Sequence, residues 1–416
     1  MPRRKKEETI GAVIDNAVED PAGKWYAVKG HLPPEKWNWK DIKKEWNRLK
    51  MPKDEAYDIF HIPLDYAKRC GYYMLLSKRG VGKTTSVMLL GMILFKLYGC
   101  QVQYIRQTED MLKPKFAQEL MSTILKFGYI EKLTEGRWNS AYYYASRWVF
   151  CNVDQDGKII EKSGMHFCYT LSIDQSFTYK SNYNAAEGNM TVFDEFIGKR
   201  YTANEFVYYL DILSTIIRKR SGVVNFMLSN NIDEFSEYFE EFEIYEQIRE
   251  MKAGECDIAE TPGGTRIYVE KINKHDKNAA RLNKEYFGFK NPRLYAITGA
   301  GEWNVALCKH YDLEDTVELI DRRHYIKMGS NLVNIELHNS EKYGLICRIH
   351  KATRIYDDSI IYTMDAIEDK RYRKGKGWSK VDHLLWGLLA RDMWHYATNS
   401  QKNFVDKYAT TCYGYK

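Results

Sequence analysis

Two periodicities alternate along residues 54–272. Short apolar runs of strand length recur at Tyr72–Leu76, Val102–Arg106, Met190–Asp194, Val223–Leu228 and Thr265–Val269. Helix-period segments lie between them: Val87–Phe95, Lys113–Phe127 with Phe116, Leu120, Ile124 and Phe127 on one face, and a stretch near Phe206–Arg220. Alternation of this kind predicts a mainly parallel sheet with helices on both faces. Ser146–Leu171 breaks the rhythm. Its β-rich runs Trp148–Cys151 and His166–Tyr169 flank Asp156-Gly157, a hairpin-turn dipeptide, and predict an antiparallel insertion. Phe235, Tyr238, Phe239, Phe242 and Tyr245 repeat at helical spacing above an acidic opposite side, which predicts a core-facing helix.

Outside this region the pattern changes. Residues 1–53 are polar, with Trp37, Trp39 and Trp46 at intervals and an amphipathic helix expected over Lys36–Leu49; they read as an N-terminal extension. The segment that follows carries Tyr57, Ile59, Phe60 and Tyr66, suited to core packing or to stacking on a base. Residues 273–310 carry turn signals and read as a linker. Residues 311–416 hold the strand-like runs Leu332–Ile335, Tyr343–Cys347 and Ile360–Tyr362 and an apolar helix over Val381–Tyr396, which suits a smaller α+β domain.

Composition narrows the class. The chain has 416 residues, 44% of them apolar, enough for two or three cores. Its net charge is only +6, so any nucleic-acid surface must be local. No apolar run is long enough to span a bilayer, and no long apolar region follows the basic tip Pro2–Lys6, which argues against a secretory signal. The eight cysteines show no zinc-like spacing and read as reduced thiols.

The chemistry concentrates in Ser77-Lys78-Arg79-Gly80-Val81-Gly82-Lys83-Thr84-Thr85, between an expected strand and an expected helix. Backbone N–H groups in such a loop wrap phosphates, and the helix turns its N-terminus toward negative charge. Lys83 would reach the β- and γ-phosphates and Thr84 would place its hydroxyl on Mg²⁺. Ser77 stands where the motif's first glycine is usual. Downstream, the strand Met190–Asp194 ends in an acid pair. Asp194 would hold Mg²⁺ through water. Glu195 would polarise a water against the γ-phosphate, which favours ATP hydrolysis over a slow nucleotide switch. Ser229, Asn230 and Asn231 end the next strand and either sense the γ-phosphate or form a simple turn.

These segments, with Tyr104-Ile105-Arg106-Gln107-Thr108 and Val192-Phe193-Asp194-Glu195-Phe196, resemble the corresponding parts of phage large terminases, and the phi29-like branch of DNA-packaging ATPases in particular. The resemblance implies an α/β P-loop NTPase of the ASCE type, working as a homo-oligomeric ring, a pentamer, on the portal (connector) protein of a procapsid in the host cytoplasm. Its cofactors would be ATP and Mg²⁺, and its cargo double-stranded DNA. A packaging RNA would join the partners where the motor uses one. Arg218 and Arg220 resemble the family's trans-acting finger; otherwise they are a basic helix end. A helicase, a cutting terminase and an ATP-binding structural adaptor remain alternatives.

The resemblance also implies an RNase H-like C-terminal domain, with a nuclease either active or vestigial. Glu336, Asp365, Glu368 and Asp382 are its candidate acids, and Asp382 resembles the third acid position of a cutting enzyme. Two hard cations would need several converging carboxylates. The stretch 370–380 has six basic residues, no acid and two aromatics. Lys370, Arg371, Arg373, Lys374, Lys376 and Lys380 would track nucleic-acid phosphates.

Overall fold

The computed structural model describes residues 32–51, 57–77, 80–182, 188–197, 204–218, 220–230, 236–273, 309–311, 315–329, 331–374, 380–397 and 399–413. Lys78, Arg79, Asn231 and Lys376, and most of the expected extension and linker, lie outside them. The chain divides into two compact units: residues 1–198, 202–232 and 250–279, and residues 199–201, 233–249 and 280–416.

The first unit is built on one large sheet. Its described strands are β1 (Tyr72–Leu76), β2 (Val102–Arg106), β3 (Ser140–Tyr144), β4 (Arg147–Val153), β5 (Ile159–Ser172), β6 (Met190–Asp194), β7 (Val224–Ser229), β8 (Cys256–Glu260) and β9 (Arg266–Lys271), in the order β3-β4-β5-β2-β6-β7-β1-β9-β8. From β5 to β9 every pairing is parallel, whereas β3 and β4 extend one edge antiparallel and β8 the other. The parallel strands read as near-continuous apolar runs because both faces are covered.

Alternation shows which residues face which helix. Helix α1 (Trp39–Leu49) and helix α2 (Lys83–Tyr98) share a core with Tyr73 and Leu75 of β1, Val102 and Tyr104 of β2, Met190 and Val192 of β6, and Phe226 and Leu228 of β7. These are every second residue, as a pleated strand requires. On the other face Phe193 of β6 meets Tyr209 of helix α3 (Glu205–Ile217), with ring centroids 4.9 Å apart. Helix α2 lies close on the sheet at Gly91, where a Cβ would stand 2.3 Å from Cγ2 of Val102. Asn38 caps α1, its side chain accepting from the backbone N–H of Lys40 at 3.0 Å.

The second unit carries the smaller sheet. Its strands β10 (Lys309–His310), β11 (Val317–Met328), β12 (Asn331–Ser340), β13 (Gly344–Lys351), β14 (Ile360–Thr363), β15 (Tyr372–Lys374) and β16 (Trp394–Tyr396) run in the order β10-β16-β13-β12-β11-β14-β15. β11, β12 and β13 form an antiparallel meander, and β14 and β15 continue it parallel to β11. Helices α4 (Lys380–Ala390) and α5 (Asn399–Tyr413) pack Leu385, Trp386, Phe404 and Tyr408 against it.

Several expectations change in detail. The helix expected through Tyr238, Phe239, Phe242 and Tyr245 is two short helices, Glu237–Glu241 and Tyr245–Glu250, with Glu243 in a left-handed conformation between them. The helix expected over Val381–Tyr396 ends at Ala390, and Asp392 in a left-handed conformation turns the chain into β16. The helix expected over Lys113–Phe127 breaks at Met121 into Pro114–Leu120 and Ser122–Lys126. The basic stretch at 370–380 is partly strand β15, with the opening residue of α4 at its far end.

Candidate nucleotide site

The carboxyl ends of β1, β2, β6 and β7 bring the candidate residues together. In parallel α/β sheets this is the edge where ligands bind. β1 stops at Leu76, beside Ser229 of β7, and the Ser77 N–H donates to the Ser229 carbonyl at 3.1 Å. The chain then turns through Gly80 (φ +83°) and Gly82 (φ +80°) into α2. Both angles lie in the left-handed region that favours glycine, and they let the backbone curl around the space in front of the helix.

Lys83, the first residue of α2, is buried and donates to Ser77 Oγ and to Asn230 Oδ1, the latter at 3.0 Å. Burial pushes its ammonium down to about 8, against the opposing pull of Asp194 and Glu195. A polyphosphate arriving beside it would restore the charged form. If ATP is that polyphosphate, the free protein should take up a proton on binding it near pH 8, and affinity should fall as pH rises above that value. Calorimetry in two buffers of different ionisation enthalpy measures the uptake directly; identical apparent enthalpies at pH 8 would contradict it.

Thr84 places Oγ1 3.2 and 3.3 Å from the two carboxylate oxygens of Asp194. A hydroxyl and a carboxylate at this separation offer hard oxygen donors, the chemistry Mg²⁺ takes. These residues fit the cation. Tyr104 donates its hydroxyl to Asp194 Oδ2 at 2.7 Å.

Glu195 sits just past the strand at φ +55°, a left-handed conformation that non-glycine residues adopt where surrounding structure holds them. Arg106 and Asn230 both contact it. Arg106 Nη2 donates to Oε2 at 2.7 Å, and Asn230 Nδ2 reaches Oε1 at 3.3 Å. Arg106 also reaches Asp194 Oδ2 at 3.3 Å. Burial opposes the Arg106 charge, but Tyr104, Asp194 and Glu195 raise its pKa above the ordinary value. Sequence reasoning assigned no role to Arg106 or Tyr104. The available signal was their placement: two polar residues two apart at the tip of a strand bound for the sheet interior.

The arginines after α3 separate. Arg220 bonds Asn189 Oδ1 at 2.8 Å and the Gly188 carbonyl at 3.1 Å, tying down the chain where β6 begins, at the opposite end of that strand from Asp194. Arg218 is exposed and ends α3 in a left-handed conformation, its N–H donating to the Ser214 carbonyl. Of the early apolar residues, Ile59 and Tyr57 are buried, Tyr57 donates its hydroxyl to Glu270, and Phe60 packs edge-on against Trp46.

In the second unit the candidate acids have separate partners. Glu336 lies 3.1 Å from His338 Nε2 and 3.3 Å from His350 Nε2. Asp365 accepts the Gly329 N–H at 2.7 Å, and Glu368 pairs with Lys327 at 2.6 Å. Buried Asp382 accepts the Tyr362 hydroxyl, which lies 3.4 Å from His324 Nδ1. The sequence reading passed over β11, the first long strand here, and with it Asp321. That carboxylate is held by Arg323 at 2.9 Å and pushed down to about 2, chiefly by that bond. Among the described residues no three histidine, cysteine or acidic side chains form a metal-binding group. Of the basic stretch, Lys370 and Lys374 are exposed, Arg371 pairs with Asp369 at 2.6 Å, and Arg373 bonds the Tyr372 carbonyl at 3.2 Å. Lys380 opens α4. No described helix is long and apolar enough to cross a membrane.

No family model matches the chain. No curated protein matches it. Among solved structures, a chain of the bacteriophage phi29 viral genome packaging motor assembly superposes with a TM-score of 0.52 at 16% identity, covering 85% of this chain and 98% of that one. A chain of the Phi-28 gp11 DNA packaging motor gives 0.46 at 18% identity, over 83% and 96%. The N-terminal domain of the DNA packaging ATPase from bacteriophage phi29 gives 0.39 at 18%, over 53% and 98%. At 0.52 the first superposition establishes a shared fold.

Proposed function

We propose that this chain is the ATP-hydrolysing subunit of a motor that drives double-stranded viral DNA into a procapsid, acting in the host cytoplasm as a ring, a pentamer by resemblance, on the portal protein. The observation that carries the reading is the meeting of Lys83, Thr84, Asp194 and Glu195 at the carboxyl edge of a parallel sheet. The fold it shares with a chain of a viral genome packaging motor supports the choice among P-loop enzymes.

In this reading the glycine turn and the α2 N-terminus bind the triphosphate, and Lys83 neutralises its β- and γ-oxygens. Thr84, and Asp194 through water, would hold Mg²⁺, which would supply neutralising charge to the phosphates. Asn230 touches both Lys83 and Glu195, so displacement of Lys83 toward the γ-phosphate is felt by Glu195. Glu195 then leaves Arg106 and orients water. Ser229 and Asn230, with Asn231, pass the state of the γ-phosphate onward. Arg218 completes the neighbouring subunit's site, while Arg220, bonded within its own unit, serves there as a strut. Lys370, Arg371, Arg373, Lys374, Lys376 and Lys380 track duplex phosphates, and a packaging RNA could share them.

The test is ATP turnover with and without duplex DNA, in wild type, Glu195→Gln, Arg218→Ala and an equimolar mixture of the two variants. Duplex should stimulate the wild type, each variant alone should be slow, and the mixture should recover turnover that neither has. Turnover indifferent to duplex would defeat the motor reading, and a mixture no faster than its components would remove Arg218 as a trans finger.

A further inference from the structure

The antiparallel extension β3-β4-β5 plays no part in the nucleotide site, yet its outer face has a distinctive chemistry. One side of it is core: Tyr143, Trp148, Phe150 and Phe167 are buried, with Phe150 and Phe167 stacked at 4.5 Å. The opposite side carries Tyr142 and Tyr144 from β3, Arg147 from β4, and Lys162, His166 and Tyr169 from β5.

The strand registers place these together. Tyr144 pairs with Arg147, Arg147 with Tyr169, and Val149 with both Tyr142 and His166. The Tyr142 and Tyr144 rings are parallel to within 9° at 6.4 Å, and Tyr144 is 69% exposed. The Lys162 ammonium lies 4.0 Å from the Tyr142 centroid and 6.0 Å from that of Tyr144. The Arg147 guanidinium lies 5.2 Å from the Tyr169 centroid, and the His166 and Tyr169 rings are 5.5 Å apart. Burial, with Arg147 nearby, holds His166 below its ordinary value, so near pH 7 it offers a flat neutral ring. Ser140, Val149 and Cys151 fill the positions between, and none of them is acidic. The nearest acid along β5, Glu161, is bonded to Arg137 at 2.7 Å. In a chain whose net charge is only +6, this face holds exposed Arg147 and Lys162 with no carboxylate at the aligned positions.

We infer that this face binds an unpaired nucleic-acid strand, its bases stacking on Tyr142, Tyr144 and Tyr169 and its phosphates meeting Arg147 and Lys162. Rings on a sheet surface with interleaved cations form a stacking platform open to any base, because every base has a π-face. The cations lie against the rings, so a base stacking on the same face displaces each cation outward, where it meets the strand's phosphate. A duplex keeps its bases paired and cannot use the rings. This site shares no residue with the candidate nucleotide site or with the basic stretch at 370–380, and it stands whether or not the chain hydrolyses ATP.

The experiment is photocrosslinking of the full chain to twelve-nucleotide single strands carrying 5-iodouracil, one RNA and one DNA, with the crosslinked residues mapped by mass spectrometry. Crosslinks should fall on Tyr142, Tyr144 or Tyr169 with either strand, and the stronger of the two identifies the sugar. Their yield should drop about tenfold in Tyr142→Ala/Tyr144→Ala and in Arg147→Ala/Lys162→Ala. Tyr142→Phe/Tyr144→Phe keeps the rings and should keep the yield, and basal ATP turnover should be unchanged in all three. Crosslinks confined to other surfaces would overturn the assignment. So would a yield unaffected by both alanine variants, or loss of self-association in those variants, which would make the face a contact between copies.

Discussion

Glu195→Gln should lower ATP turnover by about 10²–10⁴-fold while leaving ATP binding within a few-fold of wild type. The amide keeps the side chain's size and its contact with Asn230 but cannot take a proton or orient water as a carboxylate does. Nothing in the phosphate loop changes, so affinity should hold, and the Arg106 contact that is lost lies on the side away from Lys83's bonds to Ser77 and Asn230. Phosphate release in a single turnover, alongside equilibrium binding of a fluorescent ATP analogue, separates the two effects. Turnover within twofold of wild type would move the catalytic base elsewhere and revive the structural-adaptor alternative.

Arg106→Ala should be the most destabilising single change in the first unit's site. The Arg106 side chain is 15% exposed and its partner Asp194 10%, so the pair is little screened. Removing one member of such a pair leaves buried negative charge uncompensated, at a cost of about 3–5 kcal/mol. Here two carboxylates lose the same partner. For a unit of this size the melting temperature should fall on the order of 10 °C. Mg²⁺ should recover part of that loss in the variant, because a cation at Asp194 replaces the missing charge and binding to the folded state stabilises it. Arg106→Lys restores charge without the fork and should fall between. Calorimetric scans with and without Mg²⁺ decide it; a variant as stable as wild type would mean that water, not Arg106, compensates these acids.

The candidate nucleotide site was legible in the sequence because its parts carry local signatures. Gly80 and Gly82 mark left-handed turns, Lys83 and Thr84 follow them, and Asp194-Glu195 ends an apolar run. Arg106 and Tyr104 were not legible as site residues. Their role depends on β2 lying beside β6, and strand order is a long-range property that no local pattern encodes. The same reason separates Arg218 from Arg220: both are basic and only two residues apart, and only the packing of the β6 start against the end of α3 gives Arg220 its bonds to Asn189 and Gly188. In the second unit β11 was missed because five of the twelve residues Val317–Met328 are charged, with Asp321, Arg322 and Arg323 in its middle. Its tertiary neighbours, not its own periodicity, make it a strand. The helix after Val381 was read too long because Leu, Trp and Met continue through Met393-Trp394, and the left-handed turn at Asp392 has no glycine to announce it.

The most direct test of the central claim is displacement of a third strand bound to duplex DNA, followed with wild type and Glu195→Gln. ATP-dependent displacement by the wild type, absent with Glu195→Gln and absent without ATP, is the result this account predicts. ATP consumption by the wild type with the third strand left in place would contradict it, leaving an ATPase that does not move along duplex.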